Sequence, residues 1–215
     1  DLNRSEAEFT VERTDEGYAV RYGLAGLRNV GEKAMEAVVA EREAHGWFES
    51  LDDFFGRIPK GAMNSRQLEA LIAAGAFDHL EPNRGKLAEN VDLLLAVADA
   101  AIRERSSGQE GLFGGDDGAN ERIRMKDADD WPRADRMAKE RETFGFYFSA
   151  HPIEQFRDVA SANGARSYAA LMAEGGPRGD GRGSAVLAAM VEGAKRGQTR
   201  RGKDFIRADF SDTSG

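Results

Sequence analysis

The sequence has 215 residues, enough for one large domain or two ordinary ones with a sizeable core. Charged residues make up 32% of it and the formal net charge is -8, which removes any gross electrostatic case for coating nucleic acid. There is no cysteine, so disulfides and thiolate-bound metals are excluded. His45, His79 and His151 lack ligand spacing and read as surface or capping histidines.

Residues 1–22 contain a short β-hairpin: "EFTVERTDEGYAVRYGL" alternates apolar and polar residues on either side of Asp15-Glu16-Gly17. After "GLRNVGEKA" comes a helix through "EKAMEAVVAEREAHG", with Val38 and Val39 as its apolar stripe and Gly46 as its stop. Ser50 followed by Asp53 reads as the N-cap of "LDDFFGRI". Asn64 and Gln67 form a capping-box-like pair before "RQLEALIAAG", a helix ended by Gly75.

The strongest helical pattern runs from about Asn83 to Arg105, where Leu87, Val91, Leu94, Leu95, Ala98 and Ile102 recur at three- and four-residue spacing. Residues 106–130 then form a Gly/Asp-rich linker whose polarity is broken by Gln109, Leu112, Phe113, Ile123 and Met125. A further helix is expected through "RADRMAKERETFGF", and Pro152 opens another in "HPIEQFRDVAS". "EGGPRGDGRG" is a flexible joint. Two strands follow, about 185–193 and 203–210, joined by a long basic loop; two strands alone make no stable sheet domain, so this end reads as the start of a domain that is cut off. Residues 176–215 are the one basic portion, with 8 Lys+Arg against 5 Asp+Glu.

No apolar run approaches the roughly 20 residues of a bilayer span. The opening "DLNRSEAEF" is no signal peptide and lacks an initiator Met, so the chain reads as an excised fragment of a cytoplasmic protein, with no membrane partner.

Two stretches carry binding chemistry. In "GLAGLRNVGEKAMEAVV" a tight turn of small residues precedes a helix and presents backbone N–H groups at its positive end, as a phosphate oxygen requires. Helix-hairpin-helix modules use this arrangement: Val30 is expected as the buried central residue and Gly31 as the second glycine, with Gly26 in the turn and Arg28 and Lys33 adding charge. Asn29 stands at the first-glycine position and tolerates left-handed backbone angles. A plain structural connection fits the same residues, and Glu32, Glu36, Glu41 and Glu43 restrict any DNA contact to one made through backbone amides. The second stretch is "SSGQEGLFGG", where Leu112 and Phe113 sit side by side in a solvated loop. They fit a partner's apolar pocket with Gln109 at its rim, or equally the apolar stripe of the preceding helix.

Four blocks in register decide between these readings. "YGLAGLRNVGEKAMEAVVAERE", "FESLDDFFGRI", "NSRQLEALIAAGAFDHL" and "KERETFGFYFSAHPI" resemble consecutive blocks of the alpha subunits of bacterial DNA polymerase III, the C-family replicative polymerases. The resemblance implies a mainly α fragment downstream of the catalytic palm. Residues 23–80 would be a tandem helix-hairpin-helix domain gripping duplex DNA, its second hairpin degenerate with Asn64, Ser65 and Arg66 opening the helix. Residues 81–175 would be a helical connector bearing a clamp-binding loop at 106–118, and 176–215 the first strands of an incomplete OB-fold.

The resemblance further implies that Gln109, Leu112 and Phe113 bind the sliding clamp, and that Lys195, Arg196, Arg200, Arg201 and Lys203 contact single-stranded DNA. Other polymerase III holoenzyme subunits are implied partners. The family's catalytic metals lie in the palm, so this chain is expected to bind no cofactor and to be inactive as a DNA-directed DNA polymerase, although its parent is one. The rival readings are a helix-hairpin-helix module of another replication or repair enzyme and a helical protein-interaction domain; the Leu-Phe peptide and "GFYFSAHPI" argue against the first, while the chain's acidity favours the second.

Overall fold

The alternation around residues 10–21 produces an antiparallel hairpin in the computed structural model of the chain, which describes residues 1–15, 17–107, 123–175 and 184–214. Strands β1 (Thr10–Thr14) and β2 (Gly17–Arg21) pair with Val11 opposite Val20 and Arg13 opposite Tyr18. The chain divides into two units, Asp1–Gly145 and Phe146–Gly215.

In the first unit, a short 3-10 turn at Leu24–Gly26 leads to α1 (Glu32–His45). The expected stripe is real: Met35, Val38 and Val39 are buried. So is the stop, where Gly46 adopts φ 87° and its N–H donates to the Arg42 carbonyl at 2.9 Å. Buried Arg42 donates from Nη1 to the Leu2 and Ser5 carbonyls at 3.0 and 2.7 Å and from Nη2 to Glu6 at 2.7 Å. This draws the residues before the hairpin into the core, where Leu2 is fully enclosed.

Helix α2 (Leu51–Arg57) is capped as expected, Ser50 Oγ accepting from the Asp53 N–H, and it delivers Phe54 and Phe55 to a ring cluster in which Phe54 meets Phe48, Phe55 and Phe77 edge-on while Phe55 stacks on Phe77. Helix α3 (Ser65–Ala73) adds Leu68, Leu71 and Ile72 to the same core. Beyond it Gly75 takes φ 73°, and a Cβ there would meet the Arg84 guanidinium at 2.1 Å.

The expected single helix from Asn83 is instead two, α4 (Arg84–Glu89) and α5 (Val91–Ser107). Asn90 causes the break. Its side-chain nitrogen donates to the Lys86 and Lys126 carbonyls, and its oxygen accepts from the Lys126 N–H, all at 2.8 Å. Those bonds also correct the extent of the linker, because residues 123–131 form a strap on the domain: Ile123 is buried, and Met125 and Trp131 pack against the core. Gly85 lies under this strap, where a Cβ would meet the Asp129 carbonyl at 2.2 Å.

Helix α6 (Arg133–Phe144) follows as expected and ends at left-handed Gly145. Its Glu140 pairs with Arg84 at 2.9 Å, both side chains buried, while Arg84 also grips Asp78 at 2.7 Å.

In the second unit, Pro152 opens a 3-10 turn (Pro152–Phe156) that passes into short α7 (Arg157–Ala162), where one helix was expected. Helix α8 (Tyr168–Ala173) was not expected; Ser167 caps it, its Oγ accepting from the Ala170 N–H. Strands β3 (Met190–Gln198) and β4 (Asp204–Ser211) pair antiparallel, but β3 starts later and runs further than expected. The long basic loop is therefore only the turn 199–203, and Lys195 and Arg196 belong to the strand. The chain is mostly helical with two small antiparallel sheets.

Candidate nucleic-acid interface

The turn before α1 has the backbone that its residues call for. Asn29 sits at φ 66°, the one non-glycine residue with positive φ among the described residues. Its carboxamide is short enough to accept that region at low cost. Gly31 is the N-cap of α1 and provides no side-chain cap, so the first-turn N–H groups have no acceptor from the cap. A 14-residue helix concentrates partial positive charge at this end.

Val30 is only partly buried, packed against the core and donating to the Leu27 carbonyl at 3.2 Å, where full burial was expected. Its chain neighbours Asn29 and Gly31 are both exposed, so the turn leaves one side of Val30 to solvent. Gly26 closes the 3-10 turn, and a Cβ there would lie 2.9 Å from the rings of Phe9 and Tyr22. Arg28 and Lys33 are exposed on either side of Gly31. The Arg28 N–H donates to the Thr143 carbonyl of α6 at 2.9 Å, fixing the turn from behind. Of the acidic neighbours, Glu41 is engaged with Arg57 at 3.2 Å and His45 at 2.9 Å; Glu32, Glu36 and Glu43 are exposed.

The second hairpin enters α3 differently. Asn64 accepts from the Gln67 N–H at 3.0 Å, and Ser65 Oγ donates to Glu69 at 3.0 Å, so both polar groups serve the helix itself. Arg66 is exposed. Arg66 and Asn29 border one cavity of about 420 Å³, together with Trp131 and Lys139. The Lys139 ammonium lies 4.5 Å from the centre of the Trp131 ring. Sequence reading missed both residues, because their proximity to Asn29 depends on the strap and α6 folding back.

In the second unit Lys195 lies opposite Arg207 and Arg196 opposite Ile206. Arg200, Arg201 and Lys203 are exposed around the turn, where the Lys203 N–H donates to Thr199 Oγ1 at 3.0 Å. Like charges directly opposed across a ladder repel, and exposed Phe205 covers Gly197 on the same face. Buried His151 links to Ser211 at 2.9 Å, and Ser211 in turn donates to Glu192. Burial alone would raise the Asp212 carboxyl, but bonds from Ser214 and the Tyr168 N–H, with His151 nearby, hold it below the usual carboxylate range.

Gln109, Leu112 and Phe113 lie outside the described residues. Among the described residues no group of three or more histidine or acidic side chains is placed to hold a metal ion. No described helix is long and apolar enough to cross a membrane.

A family model described as "Helix-hairpin-helix motif" matches residues 1–87. DNA polymerase III subunit alpha of Caulobacter vibrioides is 33% identical over 216 residues, covering 100% of this chain and 18% of the relative. The Saccharopolyspora erythraea subunit is 34% identical over 99% of this chain and 18% of its own length. That of Neisseria meningitidis serogroup B is 38% identical over 74% of this chain and 14% of its own length. The chain thus spans less than a fifth of these relatives. With a helix-hairpin-helix motif over residues 1–87 and 33–34% identity to DNA polymerase III alpha subunits over 99–100% of its own length, the chain belongs to the DNA polymerase III alpha-subunit family.

Proposed function

We propose that the Asp1–Gly145 unit holds duplex DNA for a replicative DNA polymerase, chiefly by its backbone. The observation that carries this reading is the uncapped start of α1 behind a left-handed Asn29, with exposed Arg28 and Lys33 beside it. Such an end offers several N–H donors to one phosphate, without the dense basic field that the chain's acidity excludes. Exposed Arg66 marks where the second hairpin meets the backbone, while Asn64 and Ser65 shape its helix. Phosphate contacts position a protein without reading sequence, as a polymerase tether requires.

The segment Gln109–Phe113 tethers the chain to the sliding clamp; its Gln-x-x-Leu-Phe pattern in this family supports that reading. The β3–β4 pair begins an OB-fold whose Lys195, Arg207 and Phe205 face contacts single-stranded DNA by charge and stacking. Nucleotide addition belongs to the parent polymerase, whose palm lies outside this chain, and the chain alone is inactive.

Titrating a fluorescent duplex with the protein and its Arg28→Ala/Lys33→Ala variant tests the duplex grip. The double variant is expected to lower the salt slope by about two and weaken binding to all sequences alike. Equal binding by both proteins at every salt concentration would remove this face from the interface.

A further inference from the structure

The capping box expected at α3 is half made. Asn64 accepts from the Gln67 N–H, but the Gln67 side chain makes no return bond to the Asn64 N–H. It turns inward instead. Gln67 is 6% exposed, and its Oε1 is buried with no hydrogen-bond partner. A Cβ placed on Gly31 would sit 3.3 Å from the Gln67 Nε2, so the carboxamide points at the N-terminus of α1 and Gly31 makes room for it.

A buried carboxamide with an orphaned oxygen destabilises a fold, and leucine would fill the same volume without that cost. Its neighbours Leu68, Leu71 and Ile72 show that apolar side chains suit this side of α3. A buried polar group left unmatched calls for an explanation. The unmatched atom is Oε1, and it is left so by an orientation that sets Nε2 toward Gly31, at a helix start with no side-chain cap.

We infer that Gln67 is a phosphate ligand, its Nε2 completing with the first-turn N–H groups of α1 one subsite for a phosphodiester oxygen of duplex DNA. This rests on the duplex-gripping reading above. The subsite joins the two hairpins: α1 contributes fixed backbone donors and α3 one side-chain donor, locked by burial in the orientation the ligand needs. Glycine at 31 is then required twice, for the close approach of the phosphate and for that of Gln67. The donor is neutral, so binding through it releases no extra counterion.

Gln67→Leu, with Gln67→Met as the variant closer in length, is compared with the unaltered chain by duplex titration over a range of salt and by thermal melting. Both variants are expected to bind duplex about tenfold more weakly, with an unchanged salt slope and an equal or higher melting temperature. Equal duplex affinity in either folded variant overturns the inference while leaving the duplex grip intact. A lower melting temperature with unchanged affinity assigns the carboxamide to capping α1 and also overturns it. Absence of duplex binding by the unaltered chain overturns both this inference and the reading on which it rests.

Discussion

A side chain at φ 66° meets its own backbone, at a cost of about 1–2 kcal/mol for most residues. Asn29 was legible in this role because its type and its place before Gly31 both point to a left-handed turn. Valine there would suffer the full clash, so Asn29→Val is expected to lower stability by about 1–2 kcal/mol in urea denaturation and to weaken duplex binding as the turn reshapes. Asn29→Gly is expected to retain both. Gln67 was misread for a plain reason: the residue pair fixes the backbone bond to Asn64, while the direction of the side chain depends on Gly31, 36 positions away in sequence. Leu112 and Phe113 stand out by composition alone. Replacing both with alanine is expected to abolish binding to the cognate sliding clamp without changing the circular dichroism spectrum, and unchanged clamp affinity would refute that role.

Helix starts were the most legible elements, since Ser50 and Asn64 each cap the helix their spacing predicts. The α4–α5 break was not legible, because Asn90 interrupts an otherwise continuous apolar stripe only by bonding to Lys126 on a strap that folds back. Helix α6 owes its place to a similar long-range pairing, between Arg84 and a Glu140 that is 2% exposed. Arg84→Met removes the guanidinium from a buried ion pair and is expected to cost about 3–5 kcal/mol, most of it recovered in Arg84→Met/Glu140→Leu. Urea denaturation of the three proteins checks this.

The strap is also sensitive to acid. Partial burial alone would raise Asp130, but N–H donors of Gly85 and Trp131, with Arg136 alongside, hold it below the usual carboxylate range. Its folded pKa is below its unfolded one, so the stability it contributes is complete above the unfolded value and is lost as pH falls through the folded value. Asp130→Asn is expected to be less stable than the unaltered chain near neutrality and to converge with it in acid. A gap in urea midpoint that stays constant down to pH 2 would contradict this.

At the scale of the molecule the two units differ in kind. The Asp1–Gly145 unit buries four phenylalanines, Phe48, Phe54, Phe55 and Phe77, whereas no described apolar side chain of Phe146–Gly215 is buried. Hydrogen exchange is therefore expected to be at least about a hundredfold slower for the central amides of α1 and α3 than for those of β3 and β4. The mainly helical class and the basic C-terminal end were legible because both are sums over many residues. The placement of Lys195 and Arg196 within β3 was not, since a Lys/Arg-rich stretch reads as loop until its pairing register is known.

The duplex grip itself is tested most directly by fluorescence anisotropy of a labelled DNA duplex titrated with the chain across a range of salt concentrations. Binding is expected at low salt, independent of base sequence, with the logarithm of affinity falling linearly against that of salt at a slope of about -2 to -4. No binding at the lowest salt, or binding that ignores salt, would contradict a grip made on the phosphate backbone.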